Sequence, residues 1–252
     1  MLLDYDGTLT PIVSTPDKAV IPPATKRILS KLARIPGCNL TIISGRALKD
    51  VRRMVGLSGI NYAGNHGLEI RGPKLKFKSR IFSGSKAVIG RIKRRLKKDI
   101  RSIKGAFVED KGLTLSLHYR LVDPGRVAVV KEIFKKTLRP YLAKKMVRVT
   151  SGKKVFEVRP PVKWHKGKAA LWFIRRERGI LKKSPFVFYL GDDVTDEDAF
   201  RAVKSRGATI FVGDPGQIAE RADKRSGARY YIKGTKEVVR FLKEVIKFLK
   251  KR

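Results

Sequence analysis

The chain begins with short apolar runs that alternate with amphipathic segments. The runs Met1–Tyr5, Asn39–Ser44 and Ile60–Ala63 have the pattern of buried strands. Between them, Pro23–Arg34 and Arg46–Val55 place their apolar residues at helical spacing, the former after prolines that suit a first helical turn. Alternating strands and helices predict an α/β protein with a parallel sheet. Ligands of such sheets bind at the carboxyl ends of the strands.

The pattern changes in the middle of the chain. Between about Gly72 and Pro161, strand-like runs come in adjacent pairs, with Gly112 and Gly152 at the turns, as short hairpins require. Two amphipathic helices accompany these pairs, so this part is predicted to be an α+β module. The predicted helices are Lys86–Ile103 and Pro124–Lys144, and the predicted strands are Ala106–Asp110, Leu113–Tyr119, Met146–Thr150 and Lys154–Val158.

Alternation of strands and helices resumes after Pro160 and Pro161. The middle module is therefore predicted to be inserted into the first domain. One domain would comprise residues 1–72 and 161–252, and the inserted domain residues 73–160. The segments predicted after the insertion are helix Lys166–Arg178, strand Phe186–Leu190, helix Asp196–Lys204, strand Ala208–Val212 and helix Lys236–Lys250.

Net charge is the most unusual feature of the composition. In 252 residues, 59 Lys and Arg against 22 Asp and Glu leave +37 at neutral pH. Such a charge attracts polyanions, and Arg91–Lys98 and Lys243–Arg252 are the candidate contact faces. The basic residues are nevertheless spread over amphipathic segments, without zinc-finger spacing or an aromatic RNA-binding motif. We therefore predict a basic solvated surface that favours phosphorylated substrates, and no specific nucleic-acid partner.

Other features of the composition point to the cytoplasm. Cys38 is the single cysteine, so neither an intramolecular disulfide nor a cysteine-based zinc site can form. No run reaches the roughly 20 apolar residues of a membrane span, and the first residues do not resemble a signal peptide. We expect a soluble cytoplasmic protein with no membrane contact. Scarce amide residues beside 32% charged residues are typical of thermophilic proteins.

The first strand is unusually short for a buried one. Only three residues precede Asp4, whereas strands usually have about five residues. Either the strand is short, or the natural start lies upstream of Met1.

Two carboxylates follow this strand in the string Asp4-Tyr5-Asp6-Gly7-Thr8. Strand alternation would direct Asp4 and Asp6 to the same side. A bound cation would offset their mutual repulsion, Gly7 permits a sharp turn, and the Thr8 hydroxyl can hydrogen-bond an oxyanion. Taken alone, the string also fits an ordinary polar turn after a strand.

A second acidic cluster follows the predicted strand Phe186–Leu190 and consists of Asp192, Asp193 and Asp196. Asp196 could simply cap the next helix. Because carboxyl ends of parallel strands meet at one edge of a sheet, we expect Asp192 and Asp193 to lie close to Asp4. Oxygen ligands gathered in this way suit Mg²⁺.

Two basic groups could complete a phosphate site. Ser44-Gly45-Arg46 follows a strand and offers a hydroxyl, a backbone that can approach closely, and a guanidinium group. Lys166 opens the first helix after the insertion, where its ammonium group could neutralise developing negative charge. Considered singly, a helix cap and a solvated lysine are the simpler interpretations.

The motifs DxDGT, SGR, KG and GDDxxxD, in this order and each at the end of a strand or the start of a helix, resemble the haloacid dehalogenase superfamily. That resemblance implies a Rossmann-like core with an inserted α+β cap domain. It implies that Asp4 attacks phosphorus to form an aspartyl-phosphate, while Asp6 protonates the leaving oxygen and then activates water. Ser44 and Lys166 would hold the phosphoryl oxygens.

The same resemblance implies a magnesium site. Mg²⁺ would be held by the Asp4 carboxylate, the Asp6 backbone carbonyl and Asp192, with Asp193 and Asp196 orienting its waters.

Longer strings resemble trehalose-6-phosphate phosphatases over nearly the whole chain. They are DYDGTLTPI, GNHGLEI, EDKGLTLSLHYR, EVRPPVKWHKGKA and GDDVTDEDAF. The resemblance implies hydrolysis of trehalose 6-phosphate, with a trehalose-6-phosphate synthase as the pathway neighbour; the sequence does not reveal whether the two proteins are in physical contact. Lys111, His118 and Glu157 of the cap would contact the sugar hydroxyls. On the core side, the implied substrate-binding residues are Thr8, Ser44, Gly45, Arg46, Asn65, His66 and Gly67.

Simpler roles remain open for these residues. His118 could be hydrogen-bonded within a strand, His66 could fix a turn, and Glu157 could pair with Arg159. The alternative substrates are mannosyl-3-phosphoglycerate, glucosyl-3-phosphoglycerate and sucrose 6-phosphate. A basic nucleic-acid-binding protein with a vestigial phosphatase core is a further alternative, which the presence of the complete acidic and basic set disfavours.

Overall fold

A computed structural model describes residues 1–73, 75–79, 84–152, 154–214, 216 and 226–251 of the chain. Arg252, the last residue of the basic run predicted at the C-terminus, lies outside them. The chain folds into two compact units. The larger unit comprises Met1–Lys78 and Trp164–Arg252, and the smaller comprises Ser79–Lys163.

The helices and strands follow the predicted order closely. The strands of the larger unit are β1 Leu2–Leu3, β2 Thr41–Ile43, β3 Asn61–Gly64, β4 Glu69–Gly72, β5 Leu75–Lys78, β10 Val187–Gly191, β11 Gly207–Val212 and β12 Tyr230–Ile232, and those of the smaller unit are β6 Phe107–Asp110, β7 Leu115–His118, β8 Arg148–Gly152 and β9 Val155–Arg159. The α-helices are α1 Pro23–Ala33, α2 Leu48–Val55, α3 Ser85–Asp99, α4 Val127–Ala143, α5 Lys166–Leu181, α6 Val194–Val203 and α7 Thr235–Lys250.

Within the described ranges, eight strands of the larger unit form one sheet in the order β12-β11-β10-β1-β2-β3-β4-β5. The first six strands are parallel, and β4 and β5 are antiparallel to their neighbours. Both faces are covered by apolar clusters, one containing Leu29 and Leu242 of the helices α1 and α7, the other Phe173 and Phe200 of α5 and α6. The α/β prediction is therefore confirmed.

The sequence interpretation did not include β4, β5 and β12. These strands lie toward the two ends of the sheet. Charged residues interrupt β4 and β5, and β12 has only three residues, two of them exposed tyrosines, so the apolar signal of all three strands is weak. The hairpin of β4 and β5 changes one boundary. Residues 75–78 pair with β4 and so belong to the larger unit, whereas the sequence interpretation assigned them to the insertion.

The smaller unit is an antiparallel sheet with helices on one face. Its described strands are ordered β6-β7-β9-β8. Leu115, Leu117 and Val158 point toward α3 and α4 and form an apolar cluster with Ile92 and Phe134. Alternate positions of the same strands therefore face away from these helices. No helix among the described residues is long and apolar enough to cross a membrane.

Candidate active site

Three buried carboxylates converge at the carboxyl edge of the large sheet. Asp4 directly follows β1 and Asp192 directly follows β10, and these strands are parallel neighbours with Leu3 opposite Leu190. Asp196 lies in the first turn of α6. One carboxylate oxygen from each of the three residues lies within 4.8 Å of the other two. The fold thus brings together acidic residues from motifs at opposite ends of the sequence.

Gly7 allows the first loop to approach this cluster. Its φ is +80°, and a Cβ atom at this position would lie 2.1 Å from Oδ2 of Asp192. Any larger residue would meet both the left-handed backbone penalty and this clash. The carboxylate of Asp192, in the second acidic motif, therefore leaves room only for glycine at position 7 of the first motif.

Lys166 lies between two of the carboxylates. Its Nζ donates to Oδ1 of Asp4 at 2.7 Å and to Oδ1 of Asp196 at 2.9 Å. Burial by itself lowers the pKa of Lys166, but the carboxylates of Asp196 and Asp4 outweigh that effect and leave the pKa raised. The ammonium group is therefore charged at neutral pH.

The carboxylate cluster is suited to a divalent cation. Burial raises the pKa of Asp4 well above its ordinary value; Lys166 opposes this effect, while Asp196 and Asp192 add to it. The cluster has three carboxylates, and a single ammonium group contacts two of them, so the ionised site has an excess of negative charge. Carboxylate oxygens within this distance of one another could hold a metal ion, which would favour the ionised form of Asp4.

Asp6 is held by Arg46 in a two-point ion pair. Nη2 of Arg46 lies 2.6 Å from Oδ1, and Nε lies 2.8 Å from Oδ2. Nη1 donates to the carbonyl oxygen of Pro16 at 2.8 Å, and the guanidinium lies over the ring of Tyr5. Sequence reasoning assigned Arg46 to a phosphate, whereas in this structure its guanidinium contacts Asp6.

Two hydroxyl groups lie buried in the loops that follow β1 and β2. Ser44 Oγ accepts from the backbone N–H of Arg46 at 3.1 Å. Thr8 Oγ1 is buried and has no hydrogen-bond partner among the described residues. A buried hydroxyl without a partner is costly, so Thr8 has hydrogen-bonding capacity for a ligand oxygen.

The segment Asn65-His66-Gly67 has a strained backbone. Its three residues have φ of 49°, 56° and 93°, in the left-handed region. The segment is fixed by hydrogen bonds from its N–H groups to the carbonyl oxygens of Arg46 and Ser44, at 2.7 and 2.9 Å. Consecutive non-glycine residues at positive φ are rare and concentrate at functional sites.

Asp193 has a different position from the other acidic residues of its motif. Its carboxylate accepts from the N–H of Val194 at 2.7 Å and forms a reciprocal capping box with Asp196 at the start of α6. It lies outside the group of three clustered carboxylates. Asp193 therefore fixes the helix that presents Asp196.

In the smaller unit, the three predicted sugar-binding residues lie on the sheet face opposite to the helices. Ser116 of β7 is paired with both Glu109 and Glu157, and alternation places His118 on the same face. Nζ of Lys111 lies 3.1 Å from Oε1 of Glu157. Nε2 of His118 lies 2.7 Å from Oε2 of Glu109. The cap residues thus form two adjoining charged or polar pairs.

Sequence reasoning missed two residues that support the site. Tyr189 Oη donates to Oδ1 of Asp196 at 2.7 Å inside the core. Glu109 holds His118, and its position two residues before Lys111 in a strand could have indicated a shared face. Tyr189 gave no comparable signal, because an aromatic residue in a buried strand is ordinarily part of the core.

Comparisons of sequence agree on one family. A family model described as trehalose-phosphatase matches residues 2–235. Probable trehalose-phosphate phosphatase D of Arabidopsis thaliana is 35% identical in an alignment that covers 96% of this chain and 65% of that protein. Trehalose-phosphate phosphatase B of the same plant is 34% identical, with coverage of 96% and 64%. The chain therefore spans slightly less than two thirds of the length of these relatives.

Solved structures of similar proteins share the fold of this chain. The C-terminal domain of trehalose-6-phosphate phosphatase from C. albicans aligns with a TM-score of 0.80 and 26% identity, covering 98% of this chain and 92% of that one. A trehalose-6-phosphate phosphatase related protein aligns with a TM-score of 0.76 and 25% identity, covering 100% and 99%.

Proposed function

The chain belongs to the trehalose-phosphatase family, and on this premise we propose that it hydrolyses trehalose 6-phosphate to trehalose and inorganic phosphate. The observation that carries the proposal is the buried Lys166, whose ammonium group contacts both Asp4 and Asp196. A lysine clamped to a buried carboxylate beside further carboxylates is the arrangement that phosphoryl transfer to a carboxylate needs. The ammonium group offsets the charge of the nucleophile and of the phosphate that it attacks.

The proposed reaction has two displacements at phosphorus. An oxygen of Asp4 forms a bond to phosphorus as the bond from phosphorus to the sugar oxygen breaks, and Asp6 gives its proton to that oxygen. Asp6, now ionised, takes a proton from a water molecule whose oxygen attacks phosphorus. Phosphate leaves and the Asp4 carboxylate is restored. Asp6 lies two residues beyond Asp4 and its side chain is 42% exposed, which supports its role as the acid and base. One of its two contacts with Arg46 has to open when the carboxyl group takes up a proton.

We propose Mg²⁺ as the cation of the carboxylate cluster. Asp4, Asp192 and the backbone carbonyl of Asp6 would hold it, and Asp196 and Asp193 would orient its waters, as the sequence motifs imply. All are oxygen donors of the kind that Mg²⁺ prefers, and the raised pKa of Asp4 fits a site that a cation completes. When bound, Mg²⁺ supplies positive charge to the nucleophile and the phosphoryl group.

The remaining predicted residues are proposed to bind substrate. Thr8, Ser44 and Gly45 lie in the loops where the phosphoryl group would bind, whereas Arg46, predicted from the sequence to contact the phosphate, is proposed to act through Asp6. The buried Thr8 hydroxyl, which has no partner in the described ranges, supports its role. The strained backbone of Asn65, His66 and Gly67 supports a role in the sugar site. Lys111, His118 and Glu157 are proposed to contact sugar hydroxyls, since forked charged groups bind adjacent hydroxyls well.

A panel of phosphate esters tests the proposal. The purified chain with Mg²⁺ is expected to release phosphate from trehalose 6-phosphate much faster than from mannosyl-3-phosphoglycerate, glucosyl-3-phosphoglycerate or sucrose 6-phosphate. Faster release of phosphate from another of these esters would support a phosphatase activity but contradict trehalose 6-phosphate as the substrate. We also propose that the protein is cytoplasmic and that a trehalose-6-phosphate synthase supplies its substrate.

A further inference from the structure

A pocket rich in arginine lies at the edge of the large sheet opposite to the carboxylates. It has a volume of about 590 Å³, and four arginines line it: Arg175, Arg178, Arg206 and Arg229. We call this pocket the arginine basin. Its segments lead into the amino ends of β10, β11 and β12, whereas Asp192 follows the carboxyl end of β10. The length of β10 separates the two edges by about 17 Å.

The four guanidinium groups carry positive charge that no described carboxylate neutralises. None of them forms an ion pair within the described part of the chain, and all four residues are exposed. Glu177, which lies between two of them on α5, accepts a hydrogen bond from the amide of Asn39 instead. Four like charges around one pocket repel one another, so an anion bound among them would lower the electrostatic energy.

Structural roles explain only part of this charge. Arg178 lies in the last turn of α5, where a cation interacts favourably with the helix dipole, and Arg206 donates to the carbonyl oxygen of Ala202 at 3.1 Å. Among the described residues, Arg175 and Arg229 have no such contact for their guanidinium groups. Arg229 is nevertheless fixed through its backbone N–H, which donates to the carbonyl oxygen of Thr209 at 3.0 Å.

The wall of the basin also has apolar surface. Ile174 and Pro185 line it, and the ring of Phe186 is 69% exposed at its edge. The rings of Phe186 and Phe188 form a T-shaped pair with centroids 5.1 Å apart, and the exposure of Phe186 leaves ring surface available for stacking. An exposed aromatic face beside arginines suits a planar base attached to phosphates.

From these observations we propose that the arginine basin binds a nucleotide with two or more phosphate groups. The guanidinium groups bind the phosphate oxygens in bidentate fashion, and the base stacks on Phe186. The volume lies within the range of small-ligand sites. This site is separate from the carboxylate cluster, and its occupation needs no divalent cation.

Calorimetric titration of the full chain with ATP in EDTA tests the proposal, because EDTA removes the cation that the carboxylate cluster would bind. The double variant R175A/R178A is expected to weaken ATP binding at least about tenfold. The matched control K136A/R139A removes two exposed basic residues at the same spacing on α4, outside both candidate contact faces, and is expected to leave ATP binding within about twofold. Equal affinity of the two variants would overturn the proposal.

Three further probes identify the ligand class. Tripolyphosphate is expected to bind about tenfold more weakly than ATP. In F186A, the affinity for ATP is expected to fall to that of tripolyphosphate. Tripolyphosphate binding as tightly as ATP would reject a nucleotide in favour of simple charge. A single-stranded deoxythymidine oligonucleotide that binds more tightly than ATP, and loses this affinity in R175A/R178A, would reject it in favour of nucleic acid. Phosphatase turnover without ATP is expected to be unchanged in R175A/R178A, which shows that the variant is folded.

Discussion

Arg46 binds both carboxylate oxygens of Asp6, with contacts of 2.6 and 2.8 Å. The Arg46 side chain is only 9% exposed, whereas that of Asp6 is 42% exposed. A rigid, buried guanidinium group thus holds a carboxylate that still reaches solvent. This geometry suits Arg46 as a positioning residue for Asp6 in the proposed role of acid and base.

Replacing Arg46 by alanine is expected to lower kcat for trehalose 6-phosphate by about 100-fold, since a misplaced general acid and base loses most of its effect. The sugar alkoxide is a poor leaving group that needs a proton, whereas an aryl phosphate leaves without one. Turnover of an aryl phosphate should therefore fall much less. Steady-state kinetics with both substrates provide the measurement.

R46K is the matched control, because lysine keeps the charge but cannot bind two oxygens at once. Its kcat should remain well below that of the unchanged protein. Full activity in R46K would mean that charge alone matters, and equal losses on both substrates in R46A would contradict a role through Asp6.

Alanine substitutions of Lys111, His118 and Glu157 are expected to affect the sugar substrate selectively. Each should lower kcat/KM for trehalose 6-phosphate by about tenfold or more, because a lost charged hydrogen bond costs about 1.5–3 kcal/mol. Turnover of an aryl phosphate, which has no sugar, should change little. K131A, on the exposed surface of α4, serves as the control and should affect neither. Equal losses on the two substrates would contradict the assigned role.

Tyr189→Phe tests how Asp196 is supported. The substitution keeps the ring and removes the hydroxyl that donates to Asp196 at 2.7 Å. Loss of a buried hydrogen bond to a charged group should lower the free energy of unfolding by about 1.5–3 kcal/mol, measured by urea denaturation. Magnesium affinity should fall as well, because Asp196 loses its orientation.

Tyr62→Phe provides the comparison for this variant. Its hydroxyl donates to the carbonyl oxygen of Leu57 at 2.7 Å rather than to any of the three carboxylates, and Tyr62 lies on β3, two strands from β1. Its loss should cost about 1 kcal/mol and leave magnesium affinity unchanged. A fall in magnesium affinity of the same size in both variants would show that Tyr189 acts only through stability.

Gly67→Ala is expected to destabilise the larger unit by about 2–5 kcal/mol. The residue has φ of +93°, and a Cβ atom would lie 2.4 Å from Cβ of Ala169. Gly37→Ala separates backbone strain from steric clash, because Gly37 also has a positive φ of +75° but no described atom lies within 4 Å of the added Cβ. It should cost only about 1–2 kcal/mol. Similar unfolding free energies for the two variants would contradict the close packing at Gly67.

The sequence allowed the fold to be predicted where apolar signals were strong. The strands that support Asp4 and Asp192 are buried on both faces, so their runs were clear, and the parallel order brought the two residues together as expected. The edge strand β5 escaped notice because lysines alternate with its apolar residues, and β12 because it has only three residues, two of them exposed tyrosines. A weak pattern of this kind looks like a loop.

Side-chain partners were harder to predict than positions. Arg46 follows a strand in a motif that suggests a phosphate ligand, yet its contact with Asp6 depends on how two distant loops meet. Asp193 and Asp196 stand three residues apart at the start of one helix, and only the structure distinguishes the capping residue from the clustered one. Pairings of this kind follow from tertiary packing, which local patterns do not encode.

The central claim is that Asp4 becomes phosphorylated. Acid quenching of the reaction with trehalose 6-phosphate and Mg²⁺, followed by mass spectrometry, is expected to find phosphate on the peptide that contains Asp4. In Asp4→Asn, both this adduct and phosphate release should be lost. Continued phosphate release by Asp4→Asn at the rate of the unchanged protein would contradict the mechanism.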